Sequence, residues 1–244
     1  MKIDIKEINK YLDSNKYDFK LFNIKYTEDE KKTINNFILD KTKMYSHNGS
    51  INTIGKSINI FLSDLGNDQL QVNKMEKIII NLLYKILQTY KMSYFSLDIR
   101  VFVSKPNSHI PRWHKDSSFV NDGNTFKFVT TLKGPGTLFI KSTKEVNLIY
   151  NKINIDELEE KNKYPYDEKL DKKQLEYNLN EQYKIGNKYR SIYAKKLKNK
   201  KIIQSKNKGV IFFTGSDKDK NALHSEPEIT EPRLFISILP KMKE

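Results

Sequence analysis

The residues best suited to chemistry in this 244-residue chain are a histidine and an aspartate one residue apart, His114 and Asp116, in the run PRWHKDSS. In an extended segment, residues i and i+2 project to the same side, so both can reach into one cavity and hold one metal ion. The chain has only four histidines, and a lone pair of this kind needs a third ligand from elsewhere. His224, in NALHSEPE, supplies one. It follows the strand-like run GVIFFTG and precedes RLFISILP. Two imidazoles and a carboxylate on one face of an octahedral metal leave adjacent positions open, which suits non-haem Fe(II) and its oxygen chemistry. The same set with a bound water also makes a catalytic zinc site. Glu226 shares strand parity with His224 and competes as the carboxylate, but the H-x-D pairing makes Asp116 the better choice.

Nine residues after His224 comes Arg233, one of only four arginines. On the strand RLFISILP, Leu234, Ile236 and Ile238 form an apolar face that belongs in the core, leaving Arg233, Phe235 and Ser237 on the other face, towards the metal. A buried guanidinium needs an anionic partner, and a carboxylate gripped in bidentate fashion fits. Arg112 shares parity with His114 and can meet an anionic substrate in the same cavity, whereas Trp113 faces away into the core. Arg100 reads as one half of a salt bridge. His47 and His109 sit in loop-like contexts and read as solvent-exposed. Gly134-Pro135-Gly136 is a turn between strands, without the strand–loop–helix setting of a phosphate cradle.

Short runs rich in Val, Ile, Phe and Thr must hold these residues: LDIRVFVS, FKFVTTLK, GTLFIK, GVIFFTG and RLFISILP. Their number and the Gly, Pro, Asn and Asp between them predict a sandwich or jelly roll rather than a parallel α/β sheet. Residues 1–95 read as mainly helical, with a capping box at Thr27 and Glu30 and a long amphipathic helix carrying Val72, Met75, Ile79, Leu82, Leu83, Ile86 and Tyr90. Residues 142–203 form a charged, Tyr-rich helical insertion, either a lid or a surface elaboration. The expected organisation is a single domain over 1–244, with its β core at 96–141 and 204–240.

The formal net charge of +14 invites a nucleic-acid partner. The lysines are scattered, however, and outnumber the four arginines so heavily that genome composition accounts for them better than selected phosphate contacts. The scarcity makes each arginine more informative, because a planar fork is wanted where one appears. The chain has no cysteine, so it has no disulfide framework and no thiolate ligand. No secretory leader or long apolar stretch is legible, and the expectation is a cytoplasmic protein without a membrane partner.

The order H-x-D, distal His, then Arg on a last strand resembles the Fe(II)/2-oxoglutarate-dependent oxygenase superfamily, over about Leu97 to Lys141 and Lys206 to Pro240. The succession H-x-D, G-P-G-T, H-x-x-P and R-L also looks like that of an uncharacterised bacterial family. The resemblance implies a double-stranded β-helix (jelly-roll, cupin-like) with helices packed on it. It implies His114, Asp116 and His224 as iron ligands, Arg233 as the anchor of the distal 2-oxoglutarate carboxylate, and Ser237 and Thr131 as its hydroxyl partners. No catalytic residue beyond the metal ligands is implied. The implied reaction consumes 2-oxoglutarate and O2, yields succinate and CO2, and hydroxylates a substrate C–H. The prime substrate is unnamed. A protein side chain or a small molecule is favoured over a nucleobase, because LFISILP lacks the second Arg that nucleobase demethylases of this superfamily carry. Two alternatives stay open: a zinc-dependent hydrolase on the same three ligands, and a non-catalytic β-helix binding module.

Overall fold

The computed structural model describes residues 1–14, 18–103, 110–116, 125–215 and 219–241; His109 lies outside them. In chain order the elements are β1 (Lys2–Ile3), α1 (Ile5–Leu12), β2 (Phe19–Lys25), α2 (Glu28–Asn36), β3 (Lys43–Ser50), a short 3-10 turn (Ile51–Thr53), α3 (Gly55–Ser63), α4 (Gln69–Tyr90) and β4 (Tyr94–Phe102). They continue as β5 (Thr125–Lys133), β6 (Leu138–Ile140), α5 (Lys144–Lys161), α6 (Lys172–Leu197), β7 (Ile202–Gln204), β8 (Lys208–Thr214), β9 (Leu223–Ser225) and β10 (Arg233–Lys241).

The strands form two antiparallel sheets, one ordered β1-β2-β8-β5-β10-β4-β3 and a smaller one ordered β7-β6-β9. From β4 onward the chain winds between them. β4 lies in the large sheet, His114 bridges to His224 of the small one, β5 returns to the large sheet, and β6 and β7 lie in the small one. β8, β9 and β10 then alternate between the large and small sheets. Phe139 of the small sheet packs with Phe19, Val129, Val210 and Phe212 of the large one, so the two sheets meet face to face over β2, β8 and β5. The opposite face of the large sheet carries the helices. Val72, Met75, Ile79, Leu82, Leu83 and Ile86 of α4 join Leu97, Ile99, Leu234, Ile236 and Ile238 in one core. Each fully buried aliphatic chain of this kind contributes about 1.5–3 kcal/mol. The even residues of β10 are therefore core, and Arg233, Phe235 and Ser237 face the interior between the sheets.

Local signals explain the helix boundaries. Thr27 accepts from Glu30 N–H at 3.3 Å while its own N–H donates to Glu30 Oε2 at 2.8 Å, closing the capping box of α2. Asp68 caps α4 through Gln71 N–H at 2.8 Å, and Lys91, at φ 53°, ends that helix in the left-handed region. Besides its four α-helices, the N-terminal region contributes β2 and β3 to the large sheet on either side of the later strands, which the sequence reading did not foresee. FKLFNIK buries Phe19, Phe22 and Ile24 without a clean alternation, and KMYSHNGS is too polar to signal a strand. Its position is set by pairing with β4. β3 carries His47 near its centre, half-buried and 5.7 Å from the Phe95 ring, so His47 is neither in a loop nor free in solvent. Among the described residues, no helix is long and apolar enough to cross a membrane.

Candidate metal centre

His114 and His224 face each other as an antiparallel pair that exchanges both backbone hydrogen bonds, at 2.9 and 3.0 Å. This pairing sends both side chains to one side, with ring centroids 4.3 Å apart. Each imidazole is turned by a backbone carbonyl two residues earlier. His114 Nδ1 lies 2.9 Å from Arg112 O, and His224 Nδ1 lies 3.1 Å from Ala222 O. A carbonyl only accepts, so both Nδ1 atoms donate, and in the neutral ring each Nε2 carries the lone pair. Those lone pairs converge on Asp116, with His114 Nε2 at 3.6 Å from Oδ1 and His224 Nε2 at 3.7 Å from Oδ2. The three ligand atoms lie within 4.8 Å of one another.

Electrostatics keep this set ready for a cation. Burial lowers the His224 pKa to about 3, with the His114 imidazole adding to the effect and Asp116 opposing it. Phe139 and Phe212, at 5.8 and 4.8 Å from its ring, supply the apolar walls. His224 is therefore neutral at ordinary pH, as a metal ligand must be. Burial works against the Asp116 carboxylate, but His224, Lys127 and His114 outweigh it and hold its pKa well below the usual range. Lys127 Nζ donates to Asp116 Oδ2 at 2.7 Å, and the Thr214 hydroxyl donates to Asp116 O. Two imidazoles and one carboxylate, each oriented by a second hydrogen bond, suit a divalent first-row metal. Glu226 lines the same cavity but does not belong to this cluster among the described residues.

The cavity measures about 520 Å³ and runs from the three ligands to Arg233. Arg233 is almost fully buried, at 2% exposure. Its Nε donates to Pro135 O at 2.9 Å, and one terminal nitrogen reaches Thr137 Oγ1 at 3.0 Å and Thr131 Oγ1 at 3.5 Å. The guanidinium carbon also lies 4.6 Å from the Phe235 ring centroid. Burial lowers its pKa to about 10, with Glu226 opposing and Arg100 reinforcing, so it stays charged. Among the described residues, no carboxylate lies within ion-pair distance of it. A buried cation held only by neutral acceptors suits an anionic ligand.

Of the residues singled out from sequence, His114, Asp116, His224, Arg112, Arg233 and Ser237 all line this one cavity. Thr131 lies behind the guanidinium and does not line the wall. Trp113 is buried at 3% exposure, against the helical insertion. Arg100 donates to Asp98 Oδ2 at 3.2 Å, the salt bridge its position suggested, and also lines the cavity. Sequence reasoning missed Lys127, Thr137 and Thr214. Lys127 shares parity with Val129 and Thr131, but FKFVTTLK carries a threonine on each parity and a valine among the lysines, so its faces could not be told apart.

No protein-family model matches the chain, and none of the curated proteins matches it. Similar solved structures include dioxygenase for auxin oxidation 1 from Arabidopsis thaliana in complex with 2-oxoglutarate, at 12% identity over 99% of this chain and 91% of that one, TM-score 0.44. A prolyl-4-hydroxylase from Pseudomonas putida is 8% identical over 98% of this chain and 100% of its own, TM-score 0.43. The rice dioxygenase for auxin oxidation is 8% identical over 90% of this chain and 65% of that one, TM-score 0.34.

Proposed function

We propose that this protein is an Fe(II)- and 2-oxoglutarate-dependent oxygenase that hydroxylates a substrate C–H. One observation carries the proposal. Two imidazole Nε2 atoms and a carboxylate converge at one part of a cavity, and a buried guanidinium without a carboxylate partner among the described residues stands at another. A zinc hydrolase needs the first feature but gives Arg233 no task. A binding module that has lost its chemistry needs neither. The winding of the chain between two antiparallel sheets supports reading the fold as a double-stranded β-helix.

In this reading His114, Asp116 and His224 would hold the iron. Arg233, with Ser237 beside it on the same strand face, binds the distal carboxylate of 2-oxoglutarate. Thr131 and Thr137 hold the guanidinium in place for that bond. When bound, iron and cosubstrate supply the oxidation, in which 2-oxoglutarate, O2 and R–H become succinate, CO2 and R–OH. The protein's share is position and exclusion of water. Phe139 and Phe212 close off the ring of His224, and Lys127 holds one oxygen of Asp116.

The prime substrate enters over the part of the large sheet that the small sheet leaves uncovered. Ser46, Ser96, Asp98 and Arg100 line that part, and the exposed Arg112 lines the same cavity, so in this reading the substrate is polar and presents an anionic group to Arg112. A protein side chain or a small molecule fits this better than a nucleobase.

The test is anaerobic addition of Fe(II) and 2-oxoglutarate. The expected result is the weak visible charge-transfer band of the chelated keto acid, lost in Arg233→Ala. No band in the wild type, together with no succinate formed in air, rejects the proposal. Tight retention of zinc and no binding of 2-oxoglutarate would favour the hydrolase.

A further inference from the structure

The insertion made of α5 and α6 contributes no residue to the cavity lining among the described residues. It packs instead against the backs of the two segments that carry the ligands. Trp113 and Leu223, the residues immediately before His114 and His224, are buried in one cluster with Val146, Tyr150, Ile153 and Tyr193. Alternation along an extended chain explains this, because neighbours of a residue that faces the cavity must face the other way.

The polar contacts are more specific. The N–H of Lys115, between His114 and Asp116, donates to the Tyr150 hydroxyl at 3.3 Å. Lys115 Nζ donates to Asn147 Oδ1 at 3.0 Å. The amide nitrogen of the same Asn147 donates to Asp219 O at 3.1 Å, and Asn151 donates to Asp219 Oδ1 at 3.1 Å. Asp219 leads into the strand that bears His224. One side chain of α5 thus bonds to both ligand-bearing segments, and a second accepts from the peptide between His114 and Lys115.

We infer that α5 is a clamp that sets the geometry of the metal centre, with Asn147 and Tyr150 as positioning residues. The inference rests on the metal-site reading above. His114 and His224 are already tied by their backbone pairing, but Asp116 has no strand partner of its own among the described residues. Its place depends on the Lys115 peptide, on Thr214 and on Lys127. Ligand atoms must be held to about half an ångström for tight coordination, and the His114–Lys115 peptide, held at its carbonyl by His224 N–H, loses its second anchor when the Tyr150 hydroxyl is removed. Partners that hydrogen-bond the ligand side chains themselves change metal affinity by about 10–100-fold when removed, and the lower end of that range is the expectation for these more distant ones.

The test uses Co(II) titration of the full chain, read by affinity and by the visible d–d spectrum, with thermal unfolding of each metal-free variant alongside. Tyr150→Phe removes the acceptor oxygen and keeps the ring that stacks on Tyr193. Asn147→Ala removes the bridge. Ile185→Val, in the same apolar cluster but without a polar contact to either segment, controls for lost stability. The expected outcome is Co(II) binding about 10-fold weaker in the first two variants, with an altered spectrum, and unchanged binding in the third. Wild-type affinity and spectrum in both Tyr150→Phe and Asn147→Ala would overturn the inference. So would equal weakening in Ile185→Val, which would make the effect one of general stability. If the wild-type chain itself fails to bind Co(II), the metal-site reading falls, and the clamp with it.

Discussion

Lys127 Nζ donates to Asp116 Oδ2 across 2.7 Å, pairing a candidate metal ligand with an ammonium from a neighbouring strand. The pair occupies the carboxylate that a metal would share, so Lys127 both shapes and opposes the site. It satisfies one oxygen and leaves the other for coordination, yet its charge repels a divalent ion a few ångströms away. Removing it should therefore have two opposite effects. In Lys127→Met the metal-free protein should lose about 1–3 kcal/mol, because Asp116 is left buried with less compensation and the lysine is itself partly exposed. The same variant should gain more thermal stability than wild type on addition of Mn(II). Thermal unfolding with and without the ion measures both. An equal metal-induced shift in the two proteins would show that the ammonium does not oppose the metal.

Thr137 takes part in a different balance. Its hydroxyl accepts from Arg233 at 3.0 Å, in a place where burial leaves the guanidinium few other acceptors. Thr137→Val keeps the shape and removes the acceptor, at a cost of about 1–3 kcal/mol for the orphaned donor. The proposed function makes a further demand on this variant. Binding of 2-oxoglutarate should weaken about 10-fold as the guanidinium loses its fixed orientation, while Mn(II) affinity stays at the wild-type value. Equal losses in both affinities would place Thr137 in the general packing of the site.

The turn that brings Pro135 to Arg233 depends on Gly134, at φ +84°. A Cβ there would lie 2.5 Å from Pro232 O and 2.8 Å from Arg233 Cα, both backbone atoms that cannot swing aside. Gly134→Ala should therefore cost about 2–4 kcal/mol and displace the start of β10. Chemical denaturation gives the stability, and 2-oxoglutarate binding reports the displacement. A stability within about 0.5 kcal/mol of wild type would contradict the positive backbone angle.

How far the sequence discloses this arrangement differs from residue to residue. The parity of RLFISILP is unambiguous because one face is wholly apolar, so the placement of Arg233 and Ser237 follows directly. His114, Asp116 and His224 are legible as types and spacing. What brings them together is the backbone pairing of His114 with His224, across more than a hundred residues, and no local pattern encodes it. Lys127 is hidden for the opposite reason: its strand is buried on both faces, and alternation vanishes. β3 is hidden because an edge strand with one polar face and a weak apolar one has little periodicity. The role of α5 could not be read from its charged, Tyr-rich sequence, because it depends on which backbone atoms the helix meets.

Asp18 gives a pH dependence that stands apart from the metal site. It lies just before β2 and accepts from Ser142 N–H through Oδ2 at 3.1 Å, while its other oxygen is buried with no partner among the described residues. Burial raises its pKa to about 6, against the opposing pull of the Ser142 hydrogen bonds and of Lys141 and Lys115. Between the ordinary carboxylate value and about 6, the folded protein therefore binds more protons at this position than the unfolded chain does. Stability from this group is fully present below about pH 4 and is lost as the pH rises through about 6. Asn is neutral throughout and can still accept from Ser142, and it tolerates the positive φ of 101° at this position. The thermal midpoint of Asp18→Asn relative to wild type should accordingly rise between pH 4 and pH 7. The corresponding gain is at most roughly 3 kcal/mol, and less once solvent screening is counted. Unfolding curves collected in half-unit steps over that interval decide the matter: a midpoint difference that stays flat, or that shrinks towards pH 7, would show that the Asp18 carboxyl does not carry the charge cost its burial implies.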